Sequence, residues 1–210
     1  MERSSLENVK LVVRTMAQTA VDNEKYFGDL DAVVGDGDFG YSMARGFEKV
    51  LLDWDTIEYN DIGTFLKKVS LIITSRIGGT SGPIWGTAFL RAGTVAGDKQ
   101  ELEGTDVIAM LRASIEGIKK RGQTDLGDKT LLDALVPAVD QLELALSAST
   151  GVQTALQQAA VVARERAEAT KELLAKRGRA AYSGERSIGT LDAGAAAVAV
   201  MFEQVSEAWK

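Results

Sequence analysis

The sequence predicts an all-helical protein built from eight antiparallel amphipathic helices. Apolar residues recur at intervals of three or four along most of the chain, the spacing of one buried helix face. The sequence has neither the alternating apolar pattern nor the Asn-Gly turns that mark β-hairpins. Two prolines stand among 210 residues, so helices are seldom interrupted. The predicted helices lie near residues 4–24, 40–54, 61–77, 84–97, 104–121, 128–147, 151–176 and 194–208.

Local signals support these helices in chain order. The run Ser70–Ile73 in helix three could pass for a strand, but no partner strand pattern accompanies it. Pro83 suits the first turn of helix four, and Pro137 predicts a kink or a boundary in helix six. The clearest apolar stripes are Leu6, Val9, Val13, Met16 and Ala20 in helix one; Val107, Ile108, Leu111, Ile115 and Ile118 in helix five; Leu131, Leu132, Leu135, Val139, Leu142 and Leu146 in helix six; and Val198, Met201, Phe202 and Val205 in helix eight.

Composition narrows the classes of function. The chain is long enough for one large domain or two small ones, and 45% hydrophobic residues can form a sizeable core. The net charge of -6 argues against a nucleic acid partner and an anionic membrane surface. No apolar run reaches the length of about 20 residues that spans a membrane, and no signal peptide is apparent. We therefore expect a cytoplasmic protein.

The chain contains no histidine and no cysteine. This excludes disulfides, thiolate or imidazole metal sites, Ser-His-Asp catalysis and phosphohistidine chemistry within this polypeptide. Its chemistry must use carboxylates, hydroxyls, Lys, Arg, backbone groups or a bound ion. Any step that requires a histidine must come from another protein.

Seven connections join the eight helices, and their character alternates. The second, fourth and sixth are short and ordinary, whereas the remaining four contain glycines together with charged or hydroxyl residues. Successive connections of an up-and-down bundle lie at opposite ends, so these four should share one end. The tendency of glycine to end helices explains part of this pattern. It does not explain why glycine is absent from the second, fourth and sixth connections. The four connections are the aspartate loop (residues 30–40), the Gly-Ser loop (78–83), residues 121–128 and the lid segment (177–192).

The aspartate loop places Asp31, Asp36 and Asp38 within a short stretch rich in glycine. Crowded carboxylates repel each other unless a cation joins them, and carboxylate oxygens suit Mg²⁺ or Ca²⁺. Aspartate and glycine are also ordinary turn residues, so the spacing alone leaves a simple turn as an alternative. The loop is therefore a candidate metal site.

The Gly-Ser loop and the lid segment carry signals for phosphate. The Gly-Ser loop leads into a helix, whose N-terminus attracts anions, although Ser81 could simply cap that helix. The long lid segment carries three arginines that could contact phosphates, or it could be a solvated loop. Magnesium held by carboxylates opposite such groups would suit phosphoryl transfer.

Together these segments resemble the nucleotide-binding L subunit of dihydroxyacetone kinases over essentially the whole chain. The matching motifs are Asp31 with Gly35–Asp38, Gly78–Pro83, Gly127–Thr130, and Gly178–Gly194. The resemblance implies a single nucleotide-binding domain over residues 1–210, folded as a closed up-and-down barrel of eight helices. It implies ADP or ATP held through two Mg²⁺ ions, on a homodimer or within a hetero-oligomer. A separate K subunit would hold the ketose covalently on a histidine, and an M subunit carrying phosphohistidine could recharge the ADP.

The resemblance also implies roles for individual residues. Asp31, Asp36 and Asp38 match the metal-binding carboxylates and, with Arg179, the catalytic set. The positions that match nucleotide contacts are Phe39, Gly40, Tyr41, Ser42, Thr80 and Ser81 on the phosphate side, Gly122 and Leu131 around the adenosine, and Arg179, Asp192, Ala193 and Gly194 in the closing lid.

Two positions depart from the family pattern. Phe39 stands where histidine is common, and Ala193 stands where proline is frequent. A phenylalanine cannot donate a hydrogen bond to a phosphate, so the phosphate contacts could differ from those of the family. The ketose could also differ, and erythrulose is one alternative substrate. The phosphoryl donor could be the phosphotransferase system or exchangeable ATP.

Three further functions are compatible with the sequence. The related N-terminal domain of fatty-acid kinases shares the aspartate loop, although those proteins continue into additional domains. A nucleotide-loaded regulatory module would bind the same ligand without catalysis. A purely structural helical protein would bind neither nucleotide nor metal.

Overall fold

The computed structural model describes residues 3–210, and its secondary structure is helical without strands over that range. The prediction of an all-α protein from the spacing of apolar residues is therefore confirmed. The α-helices are α1 (Ser5–Asp22), α2 (Glu24–Ala32), α3 (Asp38–Leu52), α4 (Ile62–Arg76), α5 (Ser81–Ala96), α6 (Gly104–Gly122), α7 (Leu132–Ser147), α8 (Val152–Ala169) and α9 (Ala193–Ala208). Short 3₁₀ helices cover Trp54–Thr56, Thr170–Glu172 and Arg179–Ser187.

Several predicted boundaries need correction. Helix one ends at Asp22, and the separate helix α2 occupies about half of the stretch 25–39 between the first two predicted helices. Helix six begins at Leu132 rather than at residue 128, and helix seven ends at Ala169 rather than at 176. The described residues therefore contain nine α-helices instead of eight. The missed helix has Phe27 as its buried residue, so it lacks a periodic apolar stripe that could reveal it.

Pro83 and Pro137 both lie inside helices. Pro83 is in the first turn of α5, as predicted, where the missing N–H is harmless. The helix α7 continues through Pro137 to Ser147, so the predicted boundary at Pro137 is wrong. The ambiguous run Ser70–Ile73 belongs to α4. Its residue Ser70 is buried, and its hydroxyl donates to the Gly86 carbonyl of α5 at 2.7 Å.

Helices that follow one another in the chain pack side by side, and α9 also packs against α1 and α7. The alanines of α9 allow these close approaches, since Ala195, Ala196, Ala197 and Ala199 are fully buried. Between the helices lies a core that contains the fully buried rings of Phe27, Phe47 and Phe65. Burial of this apolar surface is the main force that stabilises the fold.

The connections divide between the two ends of the molecule. At one end the backbone of Ile62, after α3, donates to the Lys99 carbonyl after α5 at 3.4 Å. The Leu102 N–H there also donates to the Ser5 hydroxyl at 2.8 Å. The opposite end contains the four unusual connections, whose mutual contacts are described below. None of the described helices is long and apolar enough to cross a membrane.

Candidate functional site

The aspartate loop brings its three carboxylates together. Asp31 lies in the last turn of α2, Asp36 in the following turn, and Asp38 at the first residue of α3. One carboxylate oxygen from each lies within 4.8 Å of the others. Every donor is a carboxylate oxygen, a hard ligand that suits Mg²⁺. The predicted metal-binding residues therefore form one group, and the donor set fits that ion.

The local backbone explains this convergence. Gly37 has a φ of +77°, in the left-handed region that glycine adopts without steric cost, and this turns the chain from α2 into α3. The Asp31 carboxylate accepts hydrogen bonds from the backbone N–H groups of Gly37 at 2.9 Å and Phe39 at 3.4 Å. Asp31 thus holds the start of α3, in the manner of a remote N-cap.

The lid segment reaches the aspartate loop. The Arg179 guanidinium forms ion pairs with Asp36 and, at 3.4 Å, with Asp38. The Ser183 hydroxyl donates to the Val34 carbonyl at 2.9 Å. All three charged side chains of the ion pairs are about half exposed, so solvent weakens these pairs. The contacts therefore bring Arg179 beside Asp36 and Asp38 but contribute little to stability.

The Gly-Ser loop lies beside the aspartate loop. The helix α5 begins at Ser81, with Thr80 as its N-cap. The backbone at Gly78 faces the Ser42 hydroxyl in the first turns of α3. Ser42, Thr80 and Ser81 therefore share this end of the molecule. Tyr41 is exposed and its ring stacks under the Arg45 guanidinium, which lies 5.3 Å from the ring centroid.

The remaining predicted nucleotide contacts line the side formed by α6, α7 and α9. Gly122 ends α6, and its backbone lies against Ile84 of α5. Leu131 packs against the backbone of Gly194 at the start of α9. Asp192 caps that helix by accepting the Ala195 N–H at 2.8 Å. The contacts of the lid segment with Val34 and Asp128, and of Gly78 with Ser42, place the four connections at the same end of the molecule, as predicted.

Phe39 is the exception among the predicted contacts. Its ring is partly buried and faces Phe27, with the ring centroids 6.2 Å apart. The side chain therefore packs into the core between α2 and α3. A contact with nucleotide through this ring has no support in the packing, whereas Gly40 and Ser42 follow it on the same helix.

Two residues with a clear structural role at this end had no role predicted from sequence. Lys129 is 2% exposed, and Asp133 accepts the backbone N–H groups of Gly127 at 2.6 Å and Thr130 at 2.7 Å. Burial lowers the pKa of Lys129, while the charges of Asp192 and Asp133 oppose that change. The run Gly127–Thr130 is part of the family resemblance. A single lysine among turn residues in that run was the sequence feature that could have indicated the role of Lys129.

Asp192 is a second perturbed group. Burial raises the pKa of its carboxyl to about 6, against the opposing effects of the Ala195 N–H and of Lys129. The nearby Asp133 charge raises it further. The charges of Lys129, Asp133 and Asp192 therefore lie close together at the base of the lid segment.

Comparison with known proteins places this geometry in a family. Residues 33–207 match the DAK2 domain. This chain belongs to the DAK2 domain family. The matched range includes Asp36, Asp38 and the whole lid segment, whereas Asp31 lies just before it.

Relatives of this DAK2 domain are named as kinase components. It is 38% identical over 186 residues to the ADP-binding subunit DhaL of the PEP-dependent dihydroxyacetone kinase of Escherichia coli (strain K12), covering 89% of each chain. It is 37% identical to the L-erythrulose 1-kinase of Mycolicibacterium smegmatis over 98% of its own length, which is 36% of that enzyme. The crystal structure of the dihydroxyacetone kinase from C. freundii with AMP-PNP and Mg²⁺ matches 99% of this chain and 34% of that chain, with a TM-score of 0.76 and 27% identity.

Proposed function

We propose that this DAK2 domain is the nucleotide-binding subunit of a dihydroxyacetone kinase. It would hold Mg-ADP or Mg-ATP and pass a phosphoryl group to a short ketose bound covalently on a separate K subunit. The carboxylate group Asp31, Asp36 and Asp38, faced by Arg179, is the observation that carries the proposal. The E. coli relative, named as the ADP-binding subunit of such a kinase, gives independent support.

Each group of residues has a part in this proposal. Asp31, Asp36 and Asp38 would hold two Mg²⁺ ions, which neutralise charge on the phosphates. The start of α5 at Thr80 and Ser81 would contact phosphate through backbone N–H groups and hydroxyls. Arg179 would close over the nucleotide and stabilise charge on the transferring group.

The remaining predicted positions complete the binding surface. Gly40, Tyr41 and Ser42 would lie at the phosphate side, with position 39 contributing backbone rather than its ring. Gly122 and Leu131 would border the adenosine, and the turn of Asp192, Ala193 and Gly194 would support the lid. Catalysis would rest on positioning and charge neutralisation, because such a transfer needs no nucleophile from this chain.

The wider organisation is also a proposal. Packing of α9 on α1 supports closure of the helices into a barrel, with residues 1–210 as a single domain. We place the protein in the cytoplasm, as a homodimer or in a hetero-oligomer with its K subunit. An M subunit with a phosphohistidine would recharge bound ADP if the phosphotransferase system is the donor. Exchangeable ATP is the alternative donor.

A second candidate function is phosphorylation of erythrulose. The observation in its favour is the 37% identity to an L-erythrulose 1-kinase across 98% of this chain. The ketose would be selected on the K-type partner, so the residues of this chain serve either substrate equally well.

The decisive experiment combines binding and transfer. Native mass spectrometry of the purified protein should detect copurified ADP or ATP with Mg²⁺. Transfer should then be measured with a K-type subunit, supplying dihydroxyacetone and erythrulose in parallel, with ATP or with a phosphorylated M subunit. We expect phosphorylation only when the K-type partner is present. Nucleotide binding without transfer to either ketose would select the regulatory module, and absence of nucleotide binding would refute the proposal.

A further inference from the structure

The ammonium of Lys129 is buried and makes three hydrogen bonds to backbone carbonyls. It donates to Thr170 at 2.7 Å, Ser187 at 2.8 Å and Thr190 at 2.6 Å. A lysine ammonium has three donors, so its capacity is filled. A buried charge is costly unless it is fully hydrogen-bonded, so losing any one of the three bonds would destabilise the folded protein. The ammonium therefore holds the three carbonyls in fixed positions.

One of the three carbonyls precedes the lid segment, and the other two belong to its last residues. Thr170 directly follows α8, whereas Ser187 and Thr190 lie where the segment returns toward α9. One side chain in the connection before α7 therefore joins the residue that follows α8 to the end of the lid segment. The portion between these anchor points contains Arg179 and Ser183, which contact the aspartate loop.

Neighbouring polar groups reinforce the anchor. The Ser187 hydroxyl accepts the Ala175 N–H at 3.0 Å and donates to the Gly184 carbonyl at 2.7 Å. The Thr170 hydroxyl accepts the Asp192 N–H at 3.0 Å. Both Thr170 and Ser187 are fully buried. The lid segment is thus tied down at its base, while its middle stays exposed.

The residue before Lys129 contacts the same segment from the outside. The Asp128 carboxylate lies 3.4 Å from the Lys176 ammonium and 3.3 Å from the Arg177 side chain. Its carbonyl also accepts the Lys176 N–H at 3.1 Å. Asp128 therefore contacts the start of the lid segment, and Lys129 contacts its end and the residue that follows α8.

Lys129 adopts an uncommon backbone conformation to reach its position. Its φ is +61°, in the left-handed region that non-glycine residues seldom occupy. Such a conformation persists where surrounding contacts enforce it. Asp133 supplies two of these contacts through the N–H groups of Gly127 and Thr130.

We propose that Lys129 is a positioning residue that anchors the lid segment, so that Arg179 is held over the carboxylates Asp36 and Asp38. The effect on phosphoryl transfer rests on the proposed function, whereas the effect on the loop does not. Lys129 acts through the carbonyls of the segment and has no contact with the proposed reacting groups.

Hydrogen exchange measured by mass spectrometry tests the anchor directly. In Lys129→Met, exchange of peptides covering 177–192 should accelerate by about tenfold or more, while peptides of α3, α4 and α5 keep their protection. Lys171→Met is the matched control, because that side chain is exposed and pairs with Glu168. The control should exchange like the unaltered protein.

Chemical rescue separates the ammonium from the space it fills. The chain has no cysteine, so Lys129→Cys can be alkylated at one position in denaturant and refolded. Aminoethylation restores an ammonium, whereas ethylation adds similar bulk without charge. The aminoethyl form should recover slow exchange in the lid segment, and the ethyl form should not.

Kinetics with a K-type partner give the functional readout. Lys129→Met should lower kcat by about tenfold, with the KM for dihydroxyacetone changed by less than about twofold. Unchanged exchange in Lys129→Met, or equal recovery by the two alkylated forms, would overturn the anchor. A loss of protection throughout the protein would show that Lys129 supports overall stability and not the lid segment in particular, and would overturn the anchor. Failure of every form without the ammonium to fold would have the same meaning. If the unaltered protein binds no nucleotide, the proposed function fails while the exchange experiment still decides the anchor.

Discussion

The rings of Phe27 and Phe39 pack against each other with centroids 6.2 Å apart and planes tilted by 53°. This contact joins α2 to the first turn of α3, beside the aspartate loop. A phenylalanine at position 39 therefore has a structural consequence. Phe39 adds apolar contact at the junction that shapes the carboxylate group, and aromatic pairs of this kind stabilise beyond their buried area.

Replacing Phe39 by histidine should destabilise the protein. Phe39→His removes part of the aromatic packing and places a polar ring in a partly buried position, so we expect a loss of about 1–3 kcal/mol in the free energy of unfolding. Urea denaturation followed by circular dichroism measures it. Tyr182→His is the control, because Tyr182 is 92% exposed and its replacement should change stability by less than about 0.5 kcal/mol. Equal stability of both variants would contradict the packing role.

Removing a carboxylate should abolish nucleotide retention. In Asp36→Ala or Asp38→Ala, magnesium loses a ligand, so Mg-dependent ADP binding should disappear in calorimetry while the helical circular dichroism spectrum persists. Asp29→Ala provides the control, since Asp29 is exposed on α2 and pairs with Lys25. Chelation of magnesium by EDTA should release nucleotide from the unaltered protein. Undiminished ADP binding by both site variants would refute the metal site.

Removing the lid arginine should affect transfer more than folding. Arg179→Ala should slow phosphoryl transfer to the ketose by about 10- to 100-fold or weaken nucleotide binding, because a charge aimed at the phosphates is lost. The melting temperature should stay close to that of the unaltered protein, since the ion pairs of Arg179 are half exposed. Arg186→Ala, in the same segment, is the control. Transfer kinetics that match the unaltered protein would count against the lid role.

The close approach of α2 to α3 depends on Gly40. A Cβ atom at this position would overlap the Glu24 carbonyl oxygen and lie 2.5 Å from the Gly28 nitrogen. Backbone atoms cannot move aside as a flexible side chain can, so Gly40→Ala should cost more than about 3 kcal/mol. Gly104→Ala is the control, because a Cβ there makes ordinary contact at 3.6 Å with Leu146. Denaturation midpoints should separate the two variants, and similar midpoints would disprove this packing.

Asp192 should make stability depend on pH. Its pKa is about 6 in the folded protein, above the value of about 3.9 for an unperturbed aspartate, so the folded state binds its proton more tightly. The contribution of this group to the free energy of unfolding therefore falls as pH rises from about 4 to about 6. Asp192→Asn keeps a capping oxygen and removes the titration.

Denaturation of both proteins across pH 4 to 8 measures this effect. The stability of Asp192→Asn relative to the unaltered protein should increase up to about pH 6 and then level off. Parallel stability profiles over that range would show that burial does not perturb this carboxyl.

The helical class could be read from local sequence because each main helix buries its own apolar stripe. The grouping of the four unusual connections could be read too, since antiparallel neighbours alternate their ends. The helix α2 could not, because it depends on contacts such as Gly28 with Gly40 and Glu24 with Arg45 rather than on its own pattern. Short helices of weak amphipathicity are stabilised mainly by the partner they pack against.

The candidate site divides in the same way. Crowding of Asp31, Asp36 and Asp38 is local, so their spacing and the intervening glycines predicted a common group. The direction of the Phe39 ring is decided by Phe27, which lies on another helix. Residues that share a loop are thus foreseeable as a site, whereas the orientation of each side chain depends on its neighbours.

By itself, then, the sequence determined an all-helical protein and located its candidate site in loops at one end, because helix periodicity and residue type are local properties. Only the tertiary structure decided that Lys129 joins Thr170, Ser187 and Thr190, which lie 41, 58 and 61 positions further along the chain. The packing of α7 against α8 and α9 brings these acceptors to the buried ammonium. Every residue has a backbone carbonyl, so the sequence does not indicate which carbonyls will accept its hydrogen bonds.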